Sequence, residues 1–358
     1  MADVVLNYPE FGGMYGIKRY ALELAPALRA LGVDVRLRAS RAGELRIAGR
    51  GVGGIVTRKL RNHWPVLGGR LLHTADYLSN PTFRRADVVT VHDVIPLSHA
   101  HIVPMAEKER ATHERAVRRA LRSVVLADTQ ATKDILLERF GAREHRVHAI
   151  HLGLDLATFR PTSGGPAATL IDRAKLNVAV TMNWEPRKRV DLLLDAATRL
   201  PFVRILHVGA PNRSPELEGV VGQMARNAAA LEKEGRYLAL GRVDDATLAS
   251  LYAEADVVVH PSLAEGFGYP PLEALACGAR VWASDIPPQR EVLAGAARFF
   301  EPTLEGVTRA LEASWDGSRA RDAGFPPREE RLAHARRFTW EKCARETLAV
   351  YRTLSQRL

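Results

Sequence analysis

The chain has 358 residues, of which 46% are hydrophobic and 26% charged, a composition typical of a folded globular protein with room for two domains. It contains no run of eighteen apolar residues and only two cysteines, Cys277 and Cys343, which argues against a membrane-spanning helix and a disulfide framework. The formal net charge is +10, most of it in residues 1–160, which carry 25 Lys and Arg against 16 Asp and Glu. Since the first residues also lack the pattern of a secretion signal, we expect a cytoplasmic protein with anionic ligands.

The first half of the chain alternates short apolar runs with amphipathic stretches. Strands are predicted at residues 4–6, 33–37, 86–91, 124–127 and 147–150, and helices at 16–31, 105–122 and 131–140. Gly12 and Gly13 lie in the loop between the first strand and the first helix. A glycine pair is weak evidence for phosphate binding by itself. The alternation predicts an α/β domain built on a parallel sheet.

The strand at residues 86–91 ends in His92 and Asp93. An imidazole at the carboxyl end of a parallel strand faces the crevice in which such sheets bind ligands. We therefore expect His92 to hydrogen-bond a ligand hydroxyl and Asp93 to orient the imidazole.

A second α/β domain is predicted after a segment rich in Pro, Gly, Ser and Thr, residues 161–170, which has the composition of a linker. Strands are predicted at residues 177–182, 202–209, 237–240, 257–259, 279–283 and 298–302. The first of them is followed by Glu-Pro-Arg-Lys and an amphipathic stretch.

The most informative stretch runs from Asp256 to Glu291. An apolar strand leads into a loop with Glu265, Gly266, Phe267 and Gly268, and two prolines then open a helix whose first turn holds Glu273. The glycines let backbone N–H groups approach a ligand, and the N-terminus of the helix favours negative charge. Because carboxylates accept hydrogen bonds, the pattern predicts a ligand that has many hydroxyls and carries an anion. A nucleotide sugar fits that description.

The residue pattern of this stretch, with two glutamates eight positions apart, resembles the corresponding motif of the retaining GT-B glycosyltransferases of family 4. The resemblance covers nearly the whole chain, most closely from about residue 241 to residue 302. It implies two Rossmann-like, doubly wound parallel-sheet domains facing across a cleft. The expected bounds are residues 1–165 for an acceptor domain, 170–335 for a nucleotide-sugar domain, and 336–358 for a helix that crosses back to the first.

The resemblance also implies roles for single residues. Glu265 contacts hydroxyls of the donor sugar, the amides of Gly266, Phe267 and Gly268 help to hold it, and Glu273 holds the ribose. Lys188 matches the lysine that binds the diphosphate, His92 lies over the reacting sugar, and the backbone at Val243 meets the base. Gly12 and Gly13 match a loop that lies against the diphosphate or the acceptor.

One position departs from the family pattern. An arginine usually stands five residues before the diphosphate-binding lysine, and here that position is Asn183. A neutral amide cannot replace a guanidinium that binds phosphate with two hydrogen bonds. Either Arg187 or Arg189 compensates, or the leaving group depends on Lys188 and the helix amides.

The resemblance implies transfer of a hexosyl group from a nucleoside diphosphate sugar to an acceptor hydroxyl, with retention and without a required metal. GDP-mannose is the favoured donor and UDP-glucose the next, and the acceptor is expected to be a glycan or a lipid-linked molecule. The basic first domain is compatible with peripheral contact with an anionic membrane, whereas no motif indicates nucleic-acid binding. The alternatives are a nucleotide-sugar epimerase, a non-catalytic nucleotide-sugar-binding protein and a basic scaffold.

Overall fold

The computed structural model describes residues 3–9, 15–40, 70–79, 85–103, 105–210, 218–318 and 324–355. The chain divides into two compact units. The first comprises Met1–Ser98, Met105–Gly153 and Phe338–Leu358, and the second comprises His99–Pro104 and Leu154–Arg337. Gly12 and Gly13 lie outside the described residues, so their predicted role stays a prediction.

The first unit is built on a six-stranded parallel sheet with the strand order β2-β1-β3-β4-β5-β6. Its strands are β1 Asp3–Pro9, β2 Asp34–Ser40, β3 Leu71–Thr74, β4 Val88–Val91, β5 Val124–Ala127 and β6 Val147–Ala149. Its helices before the second unit are α1 Tyr15–Ala30, α2 Ile95–Ser98, α3 Glu107–Ala120 and α4 Gln130–Phe140. The predicted strands and helices of this unit are all present. The strands could be recognised as apolar runs because the central ones are buried on both faces of the sheet.

Two details of the first unit differ from the prediction or sharpen it. The sequence analysis missed β3, because its four residues follow a basic, glycine-rich stretch that hides a short apolar run. The cap of α4 is Thr129, whose side chain accepts a hydrogen bond from the Thr132 N–H.

The second unit also contains a six-stranded parallel sheet, with the order β12-β11-β10-β7-β8-β9. Its strands are β7 Leu176–Thr181, β8 Val203–Val208, β9 Tyr237–Gly241, β10 Val257–His260, β11 Val281–Ser284 and β12 Arg298–Phe300. Its helices are α5 Val190–Arg199, α6 Glu218–Lys233, α7 Asp245–Glu254, α8 Tyr269–Ala276, α9 Pro287–Leu293, α10 Leu304–Ser318 and α11 Arg328–Ala335. The last helix of the chain, α12 Trp340–Ser355, belongs to the first unit.

The order of the second sheet reverses direction beside its first strand. From β7, the chain adds β8 and β9 on one side and then β10, β11 and β12 on the other. The carboxyl ends of β7 and β10 are therefore neighbours at the point where the order reverses. In open α/β sheets, this is where ligands bind.

Candidate functional site

The loops that follow β7 and β10 are joined to each other by main-chain and side-chain hydrogen bonds. The Leu263 N–H donates to the carbonyl of Arg187 at 2.7 Å, and the Arg187 Nη1 donates to the carbonyl of Ala264 at 3.1 Å. Neighbouring strands deliver both loops to the same edge of the sheet. Residues that lie 77 positions apart in the sequence thus share one site.

Glu265 is the centre of this site. Its Oε1 accepts from Lys188 Nζ at 2.6 Å and from His260 Nε2 at 2.9 Å, while its Oε2 lies 3.6 Å from Arg187 Nη1. Burial acts to raise the pKa of Glu265, but Lys188, the His260 hydrogen bond and Arg187 outweigh it and hold the pKa well below its usual range. The site therefore presents an ionised carboxylate beside two cations.

The chain enters helix α8 from this loop through a backbone conformation that favours glycine. Gly268 precedes α8 with φ of 90°, and prolines occupy the first turn of the helix, where the missing N–H groups cost nothing. Phe267 is buried and its ring meets the edge of the Tyr269 ring at 5.2 Å. The Phe267 side chain therefore packs inside the protein and anchors the turn. Contact of residues 266–268 with a ligand, as predicted, would be made by their backbone N–H groups.

Glu273 is the fifth residue of α8, beyond the first turn in which it was predicted because the helix begins at Tyr269, and it is only 5% exposed. Burial raises the pKa of both Tyr252 and Cys277, and the negative charge of Glu273 raises each of them further. The second glutamate of the motif is thus a buried carboxylate with Tyr252 and Cys277 as neighbours.

The loop after β7 is held by a buried hydrogen-bond cluster that sequence reasoning missed. Trp184 Nε1 donates to His207 Nδ1 at 3.1 Å, Tyr237 Oη lies 2.6 Å from the same nitrogen, and His207 Nε2 donates to the Met182 carbonyl at 2.8 Å. These aromatic residues come from three neighbouring segments of the unit. The only feature of the sequence that indicated this cluster is the position of His207 and Tyr237 on strands predicted at residues 202–209 and 237–240.

Asn183 has a role in this loop that differs from binding an anion by charge. Its Oδ1 accepts from the Ala210 N–H at 3.2 Å and so ties the end of β7 to the end of β8. Arg189 pairs with Asp191 at 3.0 Å, whereas Arg187 pairs with Glu185 at 3.1 Å and also places its Nη1 3.6 Å from Glu265 Oε2. Of the two arginines considered at the sequence level, only Arg187 is brought to the site.

Val243 is half-buried in the loop between β9 and α7. The neighbouring Asp244 caps α7, its side chain accepting from the Thr247 N–H at 2.7 Å. The predicted contact of this backbone with a base stays a prediction.

In the first unit, His92 lies directly after β4 and interacts with residues that follow the two adjacent strands. Its Nδ1 lies 2.7 Å from Asp128 Oδ2, after β5, and its Nε2 lies 2.9 Å from the carbonyl of Ala75, after β3. A carbonyl oxygen only accepts, so Nε2 carries a proton, and Nδ1 donates to the carboxylate. Both ring nitrogens of His92 are thus engaged within the protein.

This arrangement makes His92 a cation. Burial acts to lower the pKa of His92, but the charge and hydrogen bond of Asp128, the charge of Asp76 and the Ala75 carbonyl raise it to about 9. The imidazolium and the Asp128 carboxylate form a partly buried ion pair, with side-chain exposures of 16% and 4%, in which burial raises the pKa of Asp128 and the charge of His92 opposes that rise.

The prediction that Asp93 orients His92 was wrong. Asp93 Oδ1 instead accepts from the Ile95 N–H at 2.9 Å, at the start of α2, because the chain turns away after the strand end. No role at His92 was predicted for Asp128. The available signal was its position, since Val91 and Ala127 are paired across β4 and β5 and the next residues are His92 and Asp128.

Two features are absent from the described residues: a membrane-spanning helix and a metal-binding cluster. No helix in the described part of the chain is long and apolar enough to cross a membrane. Among the same residues, no group of three or more His, Cys, Asp or Glu side chains is arranged to hold a metal ion.

Both halves of the chain match known families. Residues 14–158 match the family model described as Glycosyltransferase Family 4, and residues 175–312 match the one described as Glycosyl transferases group 1. The two matched ranges contain the His92 pair and the Glu265 site, respectively.

Relatives in sequence include the D-inositol 3-phosphate glycosyltransferase of Mycobacterium tuberculosis. It is 30% identical over 285 residues, which is 74% of this chain and 56% of that relative. The match therefore spans little more than half of that relative's own length.

Solved structures share the fold. Sucrose-phosphate synthase from Thermosynechococcus elongatus has a TM-score of 0.78 at 18% identity, with all of both chains covered. The Anabaena protein HepE, solved in complex with UDP-glucose, has a TM-score of 0.74 at 20% identity, with 99% of each chain covered. With these neighbours, the two parallel-sheet units confirm the predicted two-domain GT-B fold.

Proposed function

We propose that this chain is a glycosyltransferase that moves a hexosyl group from a nucleoside diphosphate sugar to an acceptor hydroxyl, with retention at the anomeric carbon. The observation that carries the proposal is the cluster of Glu265, Lys188 and Arg187 at the reversal point of the second sheet. It combines one ionised carboxylate with two cations at the edge where α/β sheets bind ligands. Sugar hydroxyls suit the carboxylate, and a diphosphate suits the cations.

Each residue has a proposed task in binding the sugar donor. Glu265 accepts hydrogen bonds from hexose hydroxyls, and the backbone amides of residues 266–268 hold the sugar near the N-terminus of α8. Glu273 binds the ribose, and the backbone at Val243 meets the base. For Gly12 and Gly13, which lie outside the described residues, contact with the diphosphate or the acceptor stays a prediction.

Arg187 and Lys188 neutralise the leaving diphosphate. Arg187 supplies the guanidinium that the family pattern has at the position of Asn183, because it lies at Glu265 while Arg189 is paired with Asp191. In a reaction whose transition state resembles an oxocarbenium ion, charge develops on the departing phosphate. Cations placed at that oxygen lower the barrier because they stabilise the negative charge that develops on it.

The state of His92 supports a same-face, retaining mechanism. An inverting enzyme needs a base that takes the proton of the acceptor hydroxyl. The Nε2 of His92 donates to a carbonyl and Nδ1 donates to Asp128, so the imidazole holds no lone pair for that task. We assign the proton instead to the leaving phosphate, and we assign to His92 a fixed positive charge that favours an anionic or phosphorylated acceptor.

The identity of the sugar and the base remains a matter for experiment. The wording of the motifs favours GDP-mannose, whereas a structural neighbour was solved with UDP-glucose. A phosphorylated, glycan or lipid-linked acceptor agrees with the basic first half of the chain and with the name of the mycobacterial relative. We place the enzyme in the synthesis of a polysaccharide, glycan or glycolipid.

Titration calorimetry with UDP, GDP, UDP-glucose and GDP-mannose tests the proposal first. We expect one nucleoside diphosphate to bind, and its hexose conjugate to release that nucleotide in the presence of a hydroxylated acceptor. Conversion of the sugar donor to an isomer without an acceptor would indicate the epimerase instead. Binding without turnover across a broad acceptor panel would indicate a non-catalytic binding protein.

A further inference from the structure

The two carboxylate oxygens of Glu265 have different surroundings. Oε1 accepts two short hydrogen bonds, from Lys188 Nζ at 2.6 Å and from His260 Nε2 at 2.9 Å. Oε2 has Arg187 Nη1 at 3.6 Å, which is beyond hydrogen-bond length. One oxygen is thus fixed by the protein, and the other retains its capacity to accept.

His260 is more deeply buried than either cation at this carboxylate. It is the last residue of β10, is 1% exposed, and is paired with Ala283 of β11 in the sheet. Its carbonyl accepts from Ser284 Oγ at 3.4 Å, and Ser262 Oγ lies 3.3 Å from its Nε2. Lys188 and Arg187, with exposures of 14% and 23%, reach Glu265 through long side chains.

The protonation of His260 follows from its surroundings. Burial lowers the pKa of His260, and the hydrogen bond to Glu265 opposes that effect without reversing it. The ring is therefore neutral near pH 7. Because Nε2 faces a carboxylate oxygen, the proton of the neutral ring lies on Nε2.

We infer that His260 is a positioning residue for Glu265: its Nε2–H fixes Oε1 and thereby turns Oε2 toward the hydroxyl of the donor hexose. This inference rests on the proposed function. Lys188 can then move to the diphosphate while the carboxylate keeps its orientation, because the histidine is anchored in the sheet. A hydrogen bond from a buried, neutral group orients the carboxylate without adding a third cation to the site.

A matched pair of amide variants tests the inference. In His260→Gln the amide nitrogen reaches the position of Nε2, whereas in His260→Asn it reaches only that of Nδ1, so the pair differs in reach and not in chemistry. We expect His260→Gln to retain kcat within about threefold. We expect His260→Asn to lose about 10- to 100-fold in kcat, the usual effect of one hydrogen bond to a charged group.

Three measurements separate positioning from damage to the fold. The Kd for UDP or GDP, whichever the wild type binds, should stay within about twofold in both variants, because these ligands carry no hexose. Ser262→Ala serves as the control, since it removes a contact with His260 Nε2 but none with Glu265, and should leave kcat unchanged. Thermal unfolding of each variant shows whether it is folded, and His260→Leu replaces His260→Asn if the latter does not fold.

The outcomes distinguish this inference from the proposed function. If the wild type binds and turns over a sugar donor while the Gln and Asn variants retain equal kcat, the function stands and His260 has no positioning role. Equal losses in both folded variants would also contradict the inference, because the reach of the N–H would then not matter. If the wild type neither binds a nucleoside diphosphate nor releases one from any hexose conjugate, it is the proposed function that fails.

Discussion

Replacing Glu265 with Gln should separate the binding of the nucleotide from the transfer of the sugar. In the wild type, the Glu265 carboxylate competes with a bound diphosphate for Lys188 Nζ, which lies 2.6 Å from Oε1. The variant removes that competitor and leaves an unneutralised ammonium group at the site. We therefore expect the variant to bind the bare nucleoside diphosphate more tightly and to transfer the hexose more slowly.

The size of both effects follows from the contact. A hydrogen bond between charged groups contributes about 1.5–3 kcal/mol. If the phosphate takes over about half of it, the relief is about 0.8–1.5 kcal/mol, which corresponds to about 4- to 12-fold tighter binding of the nucleoside diphosphate. The lost interaction with the sugar hydroxyl in the transition state should lower kcat about 100-fold.

Titration calorimetry with UDP and GDP measures the first effect, and release of nucleotide from the hexose conjugate measures the second. Asp191→Asn is the matched control, because it removes a carboxylate from a cation of the same loop, Arg189, that we place outside the binding site. That control should change neither quantity. Unchanged or weaker binding of the nucleotide to Glu265→Gln would refute the reasoning, because Lys188 would then not be shared between carboxylate and phosphate.

Three further predictions concern other parts of the structure. Arg187→Ala should weaken binding of the nucleoside diphosphate about tenfold, as measured by calorimetry, whereas Arg189→Ala should leave the affinity unchanged. If both variants changed the affinity equally, the assignment of Arg187 to the phosphate would be wrong. Asp128→Asn should lower the pKa of His92 from about 9 toward or below 6.5, seen by NMR of the imidazole nitrogens, whereas Asp93→Asn should not shift it. The pKa of His92 in the folded state lies above its unfolded value. The stabilisation from the His92 pair is therefore fully present below about pH 6.5 and is lost as the pH rises through about 9. Over that pH range, the free energy of unfolding in urea should fall less in Asp128→Asn than in the wild type. Gly209→Ala should lower the free energy of unfolding by about 2 kcal/mol or more, because φ is 144° and an added Cβ would lie 2.1 Å from the Met182 carbonyl oxygen. The control is Gly235→Ala, where φ is 69° and an added Cβ would have no atom within 4 Å; it should lower the free energy of unfolding by about 1 kcal/mol.

Much of the fold could be predicted from the sequence because both sheets are parallel and buried on both faces. Strands of this kind are short apolar runs, and β5 and β10 stand out from their polar neighbours. The prediction failed where composition hid the pattern. β3 follows a basic segment that hides its short apolar run, and no helix was predicted at α6.

The centre of the candidate site could be predicted because its residues lie in one loop motif and one strand end. Glu265 was identified from its loop after a predicted strand and Lys188 from the resemblance of its segment to the family, and the structure joins them. No role was predicted for His260 or for Asp128. Their roles depend on which strands are neighbours in the sheet, and a linear pattern of apolar residues does not specify that order.

Asn183 shows a different limit. The sequence revealed that a guanidinium was missing, but two arginines were equally available within six residues. Only the three-dimensional arrangement separates them, because Arg189 has a positive φ and pairs with Asp191 while Arg187 points to Glu265.

The central claim is that the cations and the carboxylate at the ends of β7 and β10 hold the diphosphate and the hexose of one sugar donor. A crystal structure of the full chain with the nucleotide sugar that it binds, UDP-glucose or GDP-mannose, tests it most directly. We predict a phosphate oxygen within hydrogen-bond distance of Lys188 Nζ and a hexose hydroxyl on Glu265 Oε2. A nucleotide sugar bound with both its phosphates and its hexose away from these two residues would contradict the account.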